Sequence, residues 1–235
     1  MITAVCLSPI LQNDFINRDD PSYIVDNPLI KELSFRTIGQ IFSTPQYEGD
    51  YHPLTITLFA IQHHFFQDEP QGYHAVSLLL HLAATLLVFI VVLQLTKTIL
   101  TASIVSLLFG IHPAQVESVA WISQQKDLLY VIFYVCSLSF YIKYCRSGNT
   151  PPRLYVGALL FFILSLLSKT MAVSLALVLL LVDYFLGRQF SKKLIIEKIP
   201  FLALALGFGL WSIKAHSMAG SFLDEVSYGF FDRIL

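Results

Sequence analysis

Residues 73–95 read YHAVSLLLHLAATLLVFIVVLQL. The run carries no Asp, Glu, Lys or Arg, and it matches the roughly 20 apolar residues a helix needs to cross a bilayer. What surrounds it decides whether it is a membrane span or a buried core helix. The chain has 235 residues, of which 55% are hydrophobic and 13% charged, about half the charged fraction of a soluble domain. Mean hydropathy is +0.66. Further apolar stretches follow at 98–112, 128–144, 154–167, 171–187 and 199–213. With 73–95 they make six candidate spans, and the fold class read from them is all-α, a polytopic transmembrane helical bundle.

The same composition excludes other classes. A net charge of −1 gives no footing for a nucleic-acid partner. Cys6, Cys136 and Cys145 lie in or beside apolar stretches without C-x-x-C or metal-ligand spacing, so they read as small packing residues. His52, His63 and His64 lack the accompanying ligands of a metal site, and no metal or other cofactor is expected. Nucleotide-binding, serine-hydrolase and zinc-protease motifs are absent.

Upstream of the spans the pattern changes. Residues 1–12, MITAVCLSPILQ, are apolar but too short to cross, and read as the remnant of a first transmembrane helix in a chain expected to be a fragment. Residues 13–72 are too long for a bare connection. Asn27-Pro28 predicts a helix start, with Leu33, Thr37 and Ile41 on one face. Leu54, Leu58, Ile61 and Phe65 recur at helical spacing. Both read as amphipathic helices lying at a membrane interface. Residues 73–216 form the six-helix region, and 217–235 begin a further external segment.

Basic residues give the sidedness. Lys97, then Lys143, Arg146 and Arg153, then Arg188, Lys192, Lys193 and Lys198 occupy alternate connections. The opposite, non-cytoplasmic side then holds 13–72, the 112–127 connection and the Ser168-Lys169-Thr170 turn. Three groups on that side carry chemistry. Asp19 and Asp20 are adjacent carboxylates, so one can act as a general base while its neighbour orients it; a solvated acidic turn is the plainer reading. His112, Glu117, Trp121 and Lys126 lie in HPAQVESVAWISQQKD (112–127), where helical spacing puts Pro113, Glu117 and Trp121 on one face. Lys126 can pair with a phosphate, and Trp121 can stack on a sugar or anchor the interface. Lys169 can neutralise a lipid phosphate or snorkel to the surface. His81 is read as hydrogen-bonded within the bundle, and Asp183 as an interfacial cap.

Taken in order, FINRDDPSYIVDNPLI, YHPLT (51–55), YHAVSLLLHLAATLLVF, HPAQVESVAWISQQKDLL and LSLLSKTMAVSLALVLLLVDY resemble the TMTC-like family of GT-C membrane glycosyltransferases, many of which carry tetratricopeptide repeats. The resemblance covers 13–187, looks bacterial, and leaves the repeats outside this chain. It implies a GT-C bundle that moves a hexose, mannose by analogy, from a polyprenyl-phosphate donor to Ser or Thr hydroxyls of an exported protein. Asp19 and Asp20 match the family's catalytic acidic pair, with Asp19 as base and Asp20 as its orienting partner. Lys126, Lys169, His112, Glu117, Trp121 and His52 are the residues implied for donor phosphate and substrate. His52 stands where the family motif has Arg, which removes a fixed positive charge. Expected partners are the lipid-linked donor, the protein acceptor and membrane lipid. The expected location is a bacterial inner membrane, with the site on the periplasmic face. Glycosylation of a lipid or glycan acceptor and a non-enzymatic scaffold or transporter are the alternatives; a transporter should place charged or broken helices near mid-membrane.

Overall fold

A computed structural model of the protein describes residues 2–43, 50–148 and 151–218. Most of the external segment expected at 217–235 lies outside these residues. The described chain is all-helical, without a strand among the described residues. In order it forms α1 (Ile2–Leu7), α2 (Phe35–Ser43), α3 (Pro53–Phe66), α4 (Pro70–Thr96), α5 (Ile99–Ile111), α6 (Gln115–Ala120), α7 (Gln125–Arg146), α8 (Pro152–Ser168), α9 (Leu175–Phe185) and α10 (Lys192–Met218). Each of the six apolar stretches becomes a helix. Three segments, Pro70–Thr96, Ile122–Arg146 and Lys192–Ser217, are long and apolar enough to cross a membrane, while the helices over 99–111, 152–168 and 170–185 are shorter. Prolines open α3, α4 and α8, where a missing N–H costs no helical bond.

Side chains with small or hydroxyl groups draw the long helices together, as expected where lipid offers no hydrophobic drive between helices. Ser137 Oγ donates to the Ala158 carbonyl at 2.6 Å, and Ser165 Oγ to the Tyr130 carbonyl at 2.9 Å, fastening α7 to α8. A Cβ on Gly157 would stand 2.5 Å from the Phe140 ring, so α8 approaches α7 closely there because that side chain is absent. His81 is fully buried and its Nε2 lies 2.9 Å from the Gly110 carbonyl, joining α4 to α5 in the role expected of it.

The described residues of 13–72 form a folded cap with an apolar core. Tyr23, Ile24, Ile30, Ile41, Ile56 and Phe59 pack with Tyr73 and Ile122. Two expectations change here. Asn27 opens a turn instead of a helix: its Oδ1 accepts from Leu29 N and its Nδ2 donates to the Tyr23 carbonyl. Helix α2 starts at Phe35, where Ser34 Oγ accepts from Thr37 N. Thr37 and Ile41 are buried together, but Leu33 is exposed. In α3 the apolar row turns outward: Ile61 and Phe65 are exposed, and Thr55, Ile56, Phe59, Gln62 and His63 face in. Polar inner residues win because they have partners there. Gln62 and Gln125 pair their amides at 2.7 and 3.2 Å, and Gln125 Nε2 also donates to Tyr73 O and Ser77 Oγ.

Arg146 donates to the Leu95 carbonyl at 3.2 Å, which puts the carboxyl ends of α7 and α4 together. Tyr144 donates to Glu197, and Arg188 to Tyr141, adding the α9–α10 connection to that end. The three basic segments therefore share one end of the bundle. Asp183 is more than a cap there. Arg188 bridges its Oδ1 at 2.9 Å and Glu197 Oε2 at 2.8 Å, while Lys198 and Tyr141 also contact Asp183.

Candidate functional site

The acidic pair lies at the other end. Residues 18–23 run alongside 121–126 in constant register. Arg18 stacks over the Trp121 ring at 5.4 Å, Asp20 bonds Ser123, and Lys126 sits over the Tyr23 ring at 4.9 Å. Each pair is separated by 103 residues. The local reason is a single turn of π-helix at Pro21–Val25, which follows Asp20 and presents the segment side-on to the turn after α6.

Asp20 is fully buried. Its Oδ1 accepts from Ser123 N at 2.9 Å and from Ser123 Oγ, and its Oδ2 accepts from Ile16 N at 2.8 Å. A carboxylate held by that many donors is fixed in direction. Asp19 is half-buried, and among the described residues its carboxylate takes no hydrogen bond or ion pair. The two neighbours thus have different work: one anchors, the other stays open.

Next to this ladder is a cavity of about 210 Å³ lined by Asp50, His52, Lys126, Lys169, Thr170, Met171, Ser212 and His216. Lys126, His52 and Lys169, separated in sequence, come together here. Lys126 Nζ is 3.7 Å from Asp50 Oδ2, an ion pair beyond hydrogen-bond reach. Its protons remain available to an incoming anion. Lys169 is paired with Asp127, and it also lines a second cavity of about 400 Å³ with Asp127, Gln115 and Ser118. The turn that places it is sharp: α8 ends at Ser168, Lys169 is extended, and a 3-10 turn starts at Thr170. Thr55 Oγ1 holds the Ser168 carbonyl at 3.0 Å.

His52 is buried beside both ammonium groups, with Nδ1 3.8 Å from Asp50. Burial pushes its imidazole down to about 4. Asp50 opposes that shift, and Lys126 and Lys169 add to it. The ring is neutral at ordinary pH, so the positive charge of the cavity belongs to the lysines. Its Nε2 is buried without a partner among the described residues.

The remaining candidates stand apart. His112 is exposed and its Nδ1 accepts from Ala114 N, a local turn contact. Glu117 is exposed, and neither residue lines the cavities described. Helix α6 ends at Ala120, so Trp121 leaves the face of Glu117 and is buried beneath Arg18. Stacking on a sugar is not its position here. Three residues escaped the sequence reading. Asp50 accepts from the Tyr23 hydroxyl at 3.1 Å and pairs with His216 at 3.3 Å. Ser123 holds Asp20, and His216 brings the end of α10 to the cavity. Only the closeness of Asp50 to the YHPLT stretch could have flagged any of them.

Comparison with known proteins adds the lineage. A protein O-mannosyl-transferase of Caenorhabditis elegans is 28% identical over 208 residues, 84% of this chain and 29% of that protein. Human TMTC2, also named a protein O-mannosyl-transferase, is 27% identical over 90% of this chain and 27% of its own length. Human TMTC3 is 31% identical over 55% of this chain and 14% of its own. The chain resembles TMTC proteins over most of its length. It spans less than a third of the length of these relatives. No protein-family model matches the TMTC-like chain, and no solved structure does.

Proposed function

We propose that this TMTC-like chain carries the membrane centre of a glycosyltransferase that moves a hexose, mannose by the names of its relatives, from a polyprenyl phosphate to Ser or Thr hydroxyls of a protein on the non-cytoplasmic face. The observation that carries this is the division of labour at one end of the bundle: a locked Asp20, an open Asp19, and a cavity with two lysines beside them.

In this mechanism the Asp19 carboxylate takes the proton of the acceptor hydroxyl, and the oxygen attacks the anomeric carbon. The bond from that carbon to the phosphate oxygen breaks, and polyprenyl phosphate leaves with the electron pair. Negative charge grows on the phosphate as it leaves, so Lys126 and Lys169 stabilise the transition state more than the ground state. Asp20 positions Asp19 through the Ser123 anchor. The basic end of the bundle faces the cytoplasm in this orientation. Membranes containing the chain, given labelled polyprenyl-phosphate-mannose, should transfer label to protein in an alkali-labile linkage. Label appearing only in lipid or glycan would retire the protein acceptor.

A further inference from the structure

The last turn of α10 brings His216 to the lysine cavity. Its Nδ1 lies 2.9 Å from the Ser212 carbonyl, and its Nε2 lies 3.3 Å from Asp50 Oδ1. A carbonyl only accepts, so Nδ1 carries a proton in this contact. In a neutral ring that leaves Nε2 as a bare lone pair against a carboxylate oxygen, and the two repel. In the imidazolium both nitrogens carry protons, and the same contact is an ion pair. The peptide dipole at the carboxyl end of a helix also favours a cation. The two contacts together select the protonated ring.

Asp50 then stands between two cations. Its Oδ1 meets His216, while its Oδ2 accepts from the Tyr23 hydroxyl and has Lys126 Nζ 3.7 Å away. Around the ring, Asp50, His52 and Tyr23 come from the cap, Lys126 from α7 and Lys169 from the turn after α8; Lys214, on the ring's own helix, is exposed. Lys169 is paired with Asp127, and His52 is neutral. With His216 protonated, two cations therefore face one carboxylate, and the cavity holds positive charge in excess. Without that proton Lys126 alone must neutralise Asp50, and the excess is gone. We propose that protonated His216 is a positioning residue of the transfer site: it takes up the charge of Asp50, leaves Lys126 for the donor phosphate, and makes donor binding depend on a proton. This rests on the phosphate reading given above. By reciprocity, the bound phosphate holds the proton on His216 as strongly as the proton strengthens phosphate binding.

The test is the affinity of the chain for polyprenyl-phosphate-mannose, measured without acceptor at pH 5.5 and pH 8, the range in which a histidine changes charge. This donor is a phosphodiester whose charge is constant there, and His52 stays neutral. Binding by the wild type should be about tenfold tighter at pH 5.5, within the usual range of coupling between two sites. His216→Phe keeps a ring without the charge, and should bind weakly and equally at both pH values. His216→Arg keeps the charge at both, and should bind tightly and equally. A wild-type pH dependence that persists in His216→Phe, or His216→Arg binding no better than His216→Phe, would overturn the proposal.

A second arm needs no donor. At pH 5.5 His216→Phe should lower the unfolding temperature a few degrees more in the wild type than in Asp50→Asn, because only the wild type has the ion pair to lose. At pH 8 the two changes should be equal. Equal changes at pH 5.5 would remove the ion pair and the proposal with it. The expected unfolding pattern with no donor binding at either pH would instead sink the phosphate reading, and the donor-binding role of His216 with it, while leaving the Asp50–His216 pair standing.

Discussion

Asp20 and Ser123, 103 residues apart, meet twice: the serine amide and hydroxyl both donate to Oδ1 of the buried carboxylate. This contact ties the acidic segment to the turn that delivers Lys126. Asp20 is therefore the pin of this segment, and among the described residues the Asp19 carboxylate beside it takes no hydrogen bond or ion pair.

Ser123→Ala should cost about 1.5 kcal/mol, since it removes one hydrogen bond to a charged acceptor. Asp20→Ala leaves the Ser123 and Ile16 donors without their acceptor, and should cost more, on the order of 3 kcal/mol. Thermal unfolding in detergent, with limited proteolysis across 13–26, checks the order. Equal stability of Asp20→Ala and wild type would contradict the pin.

Lys169→Met should lower kcat by about 100-fold, the usual scale for removing one stabiliser of a developing oxyanion. Lys126→Met should lower it as well, and the double variant should lose less than the product of the two, because both act on one phosphate. Single-turnover rates with saturating donor measure this. An unchanged kcat with a raised KM would mean that the lysines bind ground state and transition state equally, and would contradict their role in the transition state.

His52 sets a pH dependence of stability. Its folded-state value of about 4 lies below the ordinary 6.5, chiefly from burial. Between those values the unfolded chain binds a proton that the folded chain refuses, so this contribution is present above pH 6.5 and is lost as pH falls towards 4. The loss is at most roughly 3 kcal/mol. His52→Gln should flatten that part of the profile when unfolding temperature is followed from pH 7 to pH 4.5.

Much of this was legible in the sequence, and the physics says which parts. Apolar runs declare helices because length and hydropathy act locally. Positive connections sorted to one end of the bundle for the same reason. The Asp19-Asp20 pair was visible as a pattern, but which carboxylate is pinned depends on Ser123, which no local spacing connects to it. Asp50 precedes Tyr51-His52-Pro53 as a single acid with no periodic partner, so its place beside Lys126 was hidden. Arg188 and Lys198 read as connection charges because they lie among other basic residues. The clue was Glu197 and Asp183, acids in apolar helices that need cations when buried.

Arg188 carries a prediction of its own at that end. Arg188→Ala leaves Glu197 buried without its ion partner and weakens the hold on Asp183. Breaking a buried pair from one side costs about 3–5 kcal/mol, so the variant should unfold well below wild type. Arg188→Lys should recover only part, because one ammonium cannot repeat the two-armed bridge. Thermal unfolding of both variants in the same detergent decides it.

The most direct measurement is the rate of mannose transfer from polyprenyl phosphate by Asp19→Asn and Asp19→Glu, each with its unfolding temperature. The account predicts that Asp19→Asn keeps the wild-type unfolding temperature and loses transfer by at least about 100-fold, on the scale of a missing general base, while Asp19→Glu retains part of the rate. Transfer at the wild-type rate by a folded Asp19→Asn would contradict it.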